Sequence, residues 1–160
     1  MRTIRLPDVD KPISVIGLGT GTPKAFTPAT YPRGAALLDA YLAAGGNCLD
    51  TAPVYSLGDS ERTIGRWLRE RQTRDEVILI TKGCHPEFDP SDPFGKPWQP
   101  RVTPEALYAD VNDSLERLQT DFIDIYLLHR DDESVPVQVI LNALNAERTR
   151  GRIRALGVSN

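Results

Sequence analysis

The stretch EVILITKG, at residues 76–83, is a continuous apolar run that narrows the possible folds more than any other part of this chain. A strand has this composition when both of its faces are buried, as in a parallel sheet covered by helices. The stretch DFIDIYLLHR, at 121–130, has the same character. We therefore expect a parallel sheet with helices packed outside it.

The rest of the chain alternates between strand-like and helix-like segments. Strands are predicted at 13–20, 47–52, 76–83, 121–130 and 152–160, and helices at 32–46, at 59–71 with Asp59 or Ser60 as the N-cap, from Thr103–Pro104 onwards, and at 134–151. Two architectures fit this βαβαβαβαβ order in one domain of 160 residues. One is an open doubly wound sheet, and the other is a (β/α)8 barrel truncated after its fifth strand, since a complete barrel usually needs about 250 residues.

In both architectures, chemistry takes place at the carboxyl ends of the strands. Asp50 follows the second predicted strand, Lys82 the third and His129 the fourth, while Ser159 and Asn160 follow the fifth. Each of these residues has an ordinary structural interpretation when taken alone. Their convergence on one edge of one sheet favours a functional site.

Tyr55 lies in the turn after Asp50, and its chemistry explains why an acid and a phenol share one turn. A tyrosine has a reference pKa of about 10 and is a poor acid at neutral pH, but a nearby ammonium favours its phenolate. A carboxylate beside that ammonium holds it charged and oriented. We expect Asp50 and Lys82 to form a partly buried ion pair below Tyr55, with His129 donating a hydrogen bond to a carbonyl.

Five segments, in this order, resemble the aldo-keto reductases: GLGTG, LDTAPVYSLGDSERTIGRWL, ILITKG, SLERLQTDFIDIYLLHRDD and GRIRALGVSN. The glycines of the first segment do not make a Rossmann fingerprint, because Thr22 occupies the third glycine position. The resemblance covers essentially the whole chain. It implies a (β/α)8 barrel, here truncated after the fifth strand, so that residues 1–160 form a single incomplete domain.

The resemblance also implies an activity, the NADP(H)-dependent reduction of an aldehyde, ketone or sugar carbonyl. The proton donor of the family corresponds to Tyr55, assisted by Lys82, Asp50 and His129. Its residues for the nicotinamide correspond to Ser159 and Asn160, with Asp50 and the first-strand loop around Thr20 also near the cofactor. The part of the family barrel that binds the adenosine phosphates follows the fifth strand, so this chain holds only the nicotinamide end.

Two other functions are compatible with these residues. A lysine at the end of a barrel strand forms imines when desolvated, so Lys82 could serve a Schiff-base lyase. A half-barrel could also be a non-catalytic interaction module. Because both edges of such a sheet would lack partner strands, we expect self-association or a missing C-terminal half to cover them. The long loop at 83–103 is a candidate wall of the substrate pocket.

Composition excludes several other classes. The net charge is −3 and the pI about 5.4, which disfavours nucleic acid and anionic membrane surfaces as partners. No apolar run approaches the roughly 18 residues of a membrane span, and no signal peptide is recognisable. Cys48 and Cys84 have no metal-ligand spacing, so we expect two reduced thiols in a cytoplasmic protein without a metal.

Overall fold

The computed structural model of the protein describes residues 1–86 and 100–159. The strands are β1 (Thr3–Ile4), β2 (Ile13–Ser14), β3 (Leu18–Gly19), β4 (Cys48–Asp50), β5 (Ile78–Gly83), β6 (Ile123–Leu128) and β7 (Ile153–Val158). The α-helices are α1 (Tyr31–Ala43), α2 (Asp59–Arg71), α3 (Pro104–Leu118) and α4 (Val137–Thr149), and short 3-10 helices cover Pro28–Thr30, Tyr55–Gly58 and Arg74–Glu76.

Strands β3 to β7 form one parallel sheet whose spatial order is the same as their order in the chain. A doubly wound sheet reverses its strand order at a switch point, whereas a (β/α)8 barrel adds each strand beside the previous one. The observed order is that of five consecutive barrel strands. Within the described residues the sheet is open, with β3 at one edge and β7 at the other.

The two faces of the sheet carry separate apolar clusters. On the outer face, Leu49, Leu79 and Tyr126 pack against helix side chains such as Trp67 and Leu107. The inner face has a smaller cluster, whose buried members are Val9, Ile13, Cys48, Ile78 and Ile125. The four α-helices of the described residues therefore lie on one side of the sheet, as in the wall of a barrel.

The antiparallel hairpin of β1 and β2 lies against the amino ends of the barrel strands. Lys11, in the connection between its strands, donates from Nζ to the carbonyl oxygens of Asp75 (3.0 Å) and Val77 (2.8 Å). Nearby, Asp124 accepts from Arg74 at 2.8 Å and from the backbone N–H of Leu79 at 2.9 Å. These bonds fasten the hairpin and the starts of β5 and β6 to one another.

The strand predicted over 13–20 is in fact two short strands, β2 and β3, which belong to different sheets. The Ser14 N–H donates to Asn47 Oδ1 at 2.8 Å, and the Ser14 hydroxyl donates to the Ile16 carbonyl at 3.0 Å. Because these side-chain bonds take the place of ladder bonds, the backbone turns from one sheet to the other. The predicted N-cap of the second helix was also wrong, since Gly58 occupies that position.

Among the described residues, no helix combines the length and apolarity needed to cross a bilayer. The same part of the chain contains no group of three or more His, Cys, Asp or Glu side chains arranged to hold a metal ion. Cys48 and Cys84 are both buried free thiols, and burial raises their pKa values to about 11 and about 12.

Candidate active site

The polar residues predicted to converge lie at the carboxyl ends of β4, β5 and β6. Along β5, Ile78, Ile80 and Lys82 point to the inner face, because side chains alternate along a strand. The register sets Asp50 beside Ile80 and Lys82 beside Leu127. Lys82 is thereby buried on the inner face of the sheet, with only 4% of its surface exposed.

Three oxygens surround the Lys82 ammonium. Nζ donates to Asp50 Oδ1 at 2.5 Å, to the carbonyl oxygen of Thr51 at 2.9 Å and to the Tyr55 hydroxyl at 3.2 Å. An ammonium has three N–H donors, so these acceptors use all of them. The predicted ion pair between Asp50 and Lys82 is confirmed, and it places a positive charge directly beside the phenol.

A strained turn directs Tyr55 towards Lys82. The residues after it, Ser56, Leu57 and Gly58, have φ values of 51°, 55° and 87° in succession. Left-handed backbone is costly for Ser56 and Leu57, and such strain clusters at functional sites. Gly58 suits this turn because its φ of 87° lies in the left-handed region that favours glycine. The turn lets the chain pass from β4 into α2 with the phenol at the carboxyl ends of the strands.

His129 follows β6 and lies within the same group. Its backbone N–H donates to the Gly83 carbonyl at 2.8 Å, and the residue is 9% exposed. The ring meets the Tyr55 ring edge-on, with 6.2 Å between centroids. The His85 ring is closer, at 4.7 Å. Burial, followed by His85, Lys82 and Arg130, lowers the pKa of His129 to about 4, so its imidazole is neutral at physiological pH.

The lowered pKa of His129 predicts a pH dependence of stability. An unfolded histidine takes up its proton near its ordinary pKa of 6.5, while the folded protein resists until about 4. The unfolded state therefore binds more protons between these values, and the free energy of unfolding falls as pH falls through this window. We expect the free energy of unfolding, measured with urea at about pH 7 and about pH 5.5, to fall less between these two pH values for His129→Gln than for the parent protein. Equal declines would contradict this assignment.

The residues expected to approach a cofactor lie farther apart than the four residues expected to be catalytic. Ser159 follows β7, is exposed, and donates its N–H to the Leu128 carbonyl at 2.9 Å. Asn160 lies outside the described residues. The Thr20 side chain is fully buried and donates to the carbonyl oxygen of Asp50 at 2.8 Å, so its hydroxyl faces the backbone of the site. Of the 83–103 loop, 87–99 also lies outside the described residues.

Sequence reasoning assigned no role to two groups that the structure brings to the site. The Thr51 carbonyl that binds Lys82 has no sequence signal, because every residue has a carbonyl. The His85 ring stands against His129, and its place three residues after Lys82 was the available clue. Burial is also the first cause that lowers the pKa of His85, so two imidazoles with lowered pKa values share this corner of the sheet edge.

Known proteins are similar to this chain in sequence and in fold. The profile of the Aldo/keto reductase family matches residues 15–160. Norsolorinic acid reductase from Aspergillus flavus is 37% identical over 126 residues, which are 78% of this chain and 32% of that protein. Aryl-alcohol dehydrogenase [NADP(+)] from Phanerodontia chrysosporium is 34% identical over 131 residues, covering 78% of this chain and 33% of that protein.

Solved structures extend the likeness to nearly the whole chain. A glycerol dehydrogenase from Gluconobacter oxydans superimposes with a TM-score of 0.84 at 34% identity, covering 99% of this chain and 48% of that one. An aldo/keto reductase from Klebsiella pneumoniae in complex with NADP and acetate gives a TM-score of 0.78 at 31% identity, covering 99% and 49%.

The chain spans about a third of the length of these curated relatives and about half of the length of these solved structures. Within that span the chain superimposes on the solved structures, and the family profile matches most of the sequence. The chain belongs to the aldo/keto reductase family.

Proposed function

We propose that this chain supplies the proton-transfer site of an NADP(H)-dependent carbonyl reductase, in which residues 1–160 form the first five strands of the barrel. The proposal rests chiefly on one observation: the Tyr55 hydroxyl lies 3.2 Å from a lysine ammonium whose other two N–H donors are already bound. An ammonium fixed in this way stabilises a phenolate as it forms. Family membership supports the class of reaction, carbonyl oxidoreduction.

In the proposed mechanism the proton on Tyr55 Oη moves to the oxygen of the substrate carbonyl. Lys82 stabilises the negative charge left on the phenol, and Asp50 holds Lys82 in place. His129, neutral because of its lowered pKa, has a ring nitrogen that donates a hydrogen bond to the carbonyl oxygen without adding a second positive charge. NADPH, when bound, supplies the hydride that the carbonyl carbon receives.

The described residues fit the reacting end of a nicotinamide cofactor. The Asp50 side chain keeps 37% of its surface exposed although it binds Lys82, so its second oxygen is accessible from the sheet edge. Ser159 is exposed at the end of β7 on the same edge. We assign the carboxamide end to Asp50, Ser159 and Asn160, with Thr20 positioning the Asp50 backbone. The choice of NADP(H) is supported by the Klebsiella complex and the name of the Phanerodontia relative.

The proposed substrate is a small aldehyde, ketone or sugar in a cytoplasmic setting. An aryl-alcohol dehydrogenase and a glycerol dehydrogenase among the similar proteins support both aromatic and polyol chemistry. The test is a spectrophotometric assay of NADPH oxidation by the intact native polypeptide with benzaldehyde and with glyceraldehyde. Carbonyl-dependent oxidation of NADPH is expected for at least one of them. NADPH binding without oxidation across a wider aldehyde and ketone panel would contradict the proposal.

A Schiff-base lyase is the alternative that uses the same lysine, and the geometry makes it weaker. Lys82 is only 4% exposed, and its nitrogen has no unused donor among the bonds described. An imine would require the Lys82 nitrogen to give up its hydrogen bonds to Asp50, Thr51 and Tyr55. Borohydride trapping of substrate on Lys82 would identify a lyase. If the protein neither traps substrate on Lys82 nor binds NADPH, the non-catalytic interaction module is the remaining function.

We also propose that the 160-residue chain associates through the β7 edge. A groove of about 470 Å³ lies between β7 and α4, with apolar lining from Leu128, Ile140 and Val158. Val158 is 66% exposed on a strand that has only β6 as a partner in the described sheet. An apolar edge strand of this kind recruits other chains.

Sedimentation of the 160-residue chain at micromolar concentration should therefore show dimers or larger species. Val158→Lys should reduce association, because a charge on an edge strand opposes pairing. Val15→Lys is the control, since Val15 is also an exposed valine but lies outside the strands. A sharp monomer boundary for the parent chain would contradict the proposal.

A further inference from the structure

Behind the ion pair of Asp50 and Lys82 lies a chain of three hydroxyl groups. Thr20, Thr51 and Ser60 are fully buried, and they come from the end of β3, the end of β4 and the first turn of α2. Ser60 Oγ is 2.7 Å from Thr20 Oγ1 and 2.9 Å from Thr51 Oγ1. The Ser60 hydroxyl is therefore the central member that joins three separate segments.

The direction of these hydrogen bonds follows from their last acceptor. The Asp50 carbonyl can only accept, so Thr20 must donate to it, and that bond is 2.8 Å long. Thr20 has then used its hydroxyl proton, so Ser60 donates towards Thr20, whose Oγ1 lies 2.7 Å and whose carbonyl oxygen lies 3.0 Å from Ser60 Oγ. Ser60 in turn must accept from Thr51. Each hydroxyl donates once, and the run of bonds ends on the backbone of Asp50.

We propose that Ser60 is a positioning residue that holds the backbone of Asp50 and Thr51 where these two residues bind Lys82. This inference rests on the proposed function, because it assigns Ser60 a role in the same proton-transfer site. Two of the three acceptors of Lys82 belong to residues 50 and 51. On its other side this backbone is held by the Thr51 N–H, which donates to the Ile80 carbonyl at 2.9 Å.

Removing the Ser60 hydroxyl would break the chain in its middle. Thr51 would keep a buried hydroxyl that has lost its acceptor in the described structure, and Thr20 would lose its donor. Buried polar groups without partners are costly, so the segments would shift to regain hydrogen bonds. A shift of about 1 Å in the acceptors of Lys82 is sufficient to lower turnover strongly.

Ser14 provides a matched control. It is also a buried serine, 4% exposed, whose hydroxyl bonds the Ile16 carbonyl (3.0 Å) and the Tyr41 hydroxyl (2.9 Å). It belongs to β2, at the amino ends of the barrel strands. Ser14→Ala and Ser60→Ala thus remove the same group from similar surroundings at opposite ends of the sheet.

The experiment compares the two alanine variants in the intact native polypeptide. Both should lower the midpoint of thermal unfolding. Only Ser60→Ala should speed amide hydrogen exchange at Thr20 and Thr51, whose N–H groups bond Asp50 and Ile80. Only Ser60→Ala should lower kcat for carbonyl reduction, by on the order of tenfold, with KM nearly unchanged, because the acid and not the binding surface is displaced.

Unchanged exchange at Thr20 and Thr51 in a folded Ser60→Ala protein would overturn the inference, and so would a kcat equal to that of Ser14→Ala. If Ser60→Ala does not fold, Thr20→Val removes the hydroxyl that donates to the Asp50 carbonyl, keeps the Thr20 N–H bond to the same oxygen and leaves no cavity. It should give the same loss of kcat, and normal turnover there would also overturn the inference. The exchange measurement needs no catalysis. A parent protein without reductase activity would therefore reject the proposed function separately.

Discussion

Replacing Tyr55 with Phe should lower kcat for carbonyl reduction by about 10² to 10⁴-fold, the usual range for a general acid. The substitution removes one oxygen, the group that lies 3.2 Å from Lys82 Nζ, and keeps the ring. NADPH affinity should stay within about twofold, because in the proposed mechanism the phenol acts on the substrate carbonyl and not on cofactor binding. Steady-state kinetics and fluorescence titration of NADPH with the intact native polypeptide measure the two quantities.

Tyr41→Phe is the matched control for this result. The Tyr41 hydroxyl bonds the Ile16 carbonyl at 2.6 Å and the Cys48 N–H at 3.1 Å, so its loss should reduce stability. Turnover should be unaffected, because Tyr41 lies away from the edge that carries Lys82. Near-normal turnover by Tyr55→Phe would reject Tyr55 as the proton donor, whatever Tyr41→Phe shows.

Replacing Glu61 with Ala should lower the free energy of unfolding by about 3–5 kcal/mol. Glu61 is fully buried in α2, where it accepts from Arg117 Nε of α3 at 2.6 Å and from the Thr81 hydroxyl of β5 at 2.6 Å. The change leaves the Arg117 charge, only 17% exposed, without its main partner. Loss of one member of a buried ion pair is far more costly than loss of a surface pair.

Asp113→Ala tests the same arginine from its exposed side. Asp113 is 61% exposed and lies 3.6 Å from Arg117 Nη1, one helical turn away. Urea unfolding should show a loss of only about 0.5 kcal/mol for this variant. Similar losses of unfolding free energy for Glu61→Ala and Asp113→Ala would mean that burial does not strengthen the ion pair of Glu61 and Arg117. A Glu61→Gln variant should fall between them, since it keeps an acceptor for Thr81 while removing the charge.

The sequence was most informative where a single repeating signal governs a whole element. The helix predicted at 59–71 has these boundaries in the structure, as α2, and Thr103 caps α3 by accepting from the Ala106 N–H at 3.1 Å. Strand β5 was recognisable because both of its faces are buried, which makes its sequence continuously apolar. The convergence of Asp50 and Lys82 followed from parallel topology alone, since neighbouring strands end at the same edge.

Features that depend on contacts between distant segments were not predictable in this way. Ser60 was interpreted as a possible N-cap, and nothing in its local sequence points to Thr20, which is 40 residues away. The left-handed turn at Ser56 and Leu57 was equally hidden, because neither residue type favours such backbone. The two-strand form of 13–20 depends on Asn47, which belongs to another segment.

The bonds of Asp124 and Arg74 at the amino ends of β5 and β6 have a consequence for protein engineering. Leu79, bound to Asp124, and Lys82, at the reactive edge, are three residues apart on one strand, or about 10 Å at the usual rise per residue. Free-energy changes at sites this far apart, with no shared partner, usually add. The effects of stabilising substitutions around Arg74 and Lys11 should therefore add to those of substitutions that change substrate preference at the carboxyl ends of the strands. Stability could then be improved without selecting again for activity.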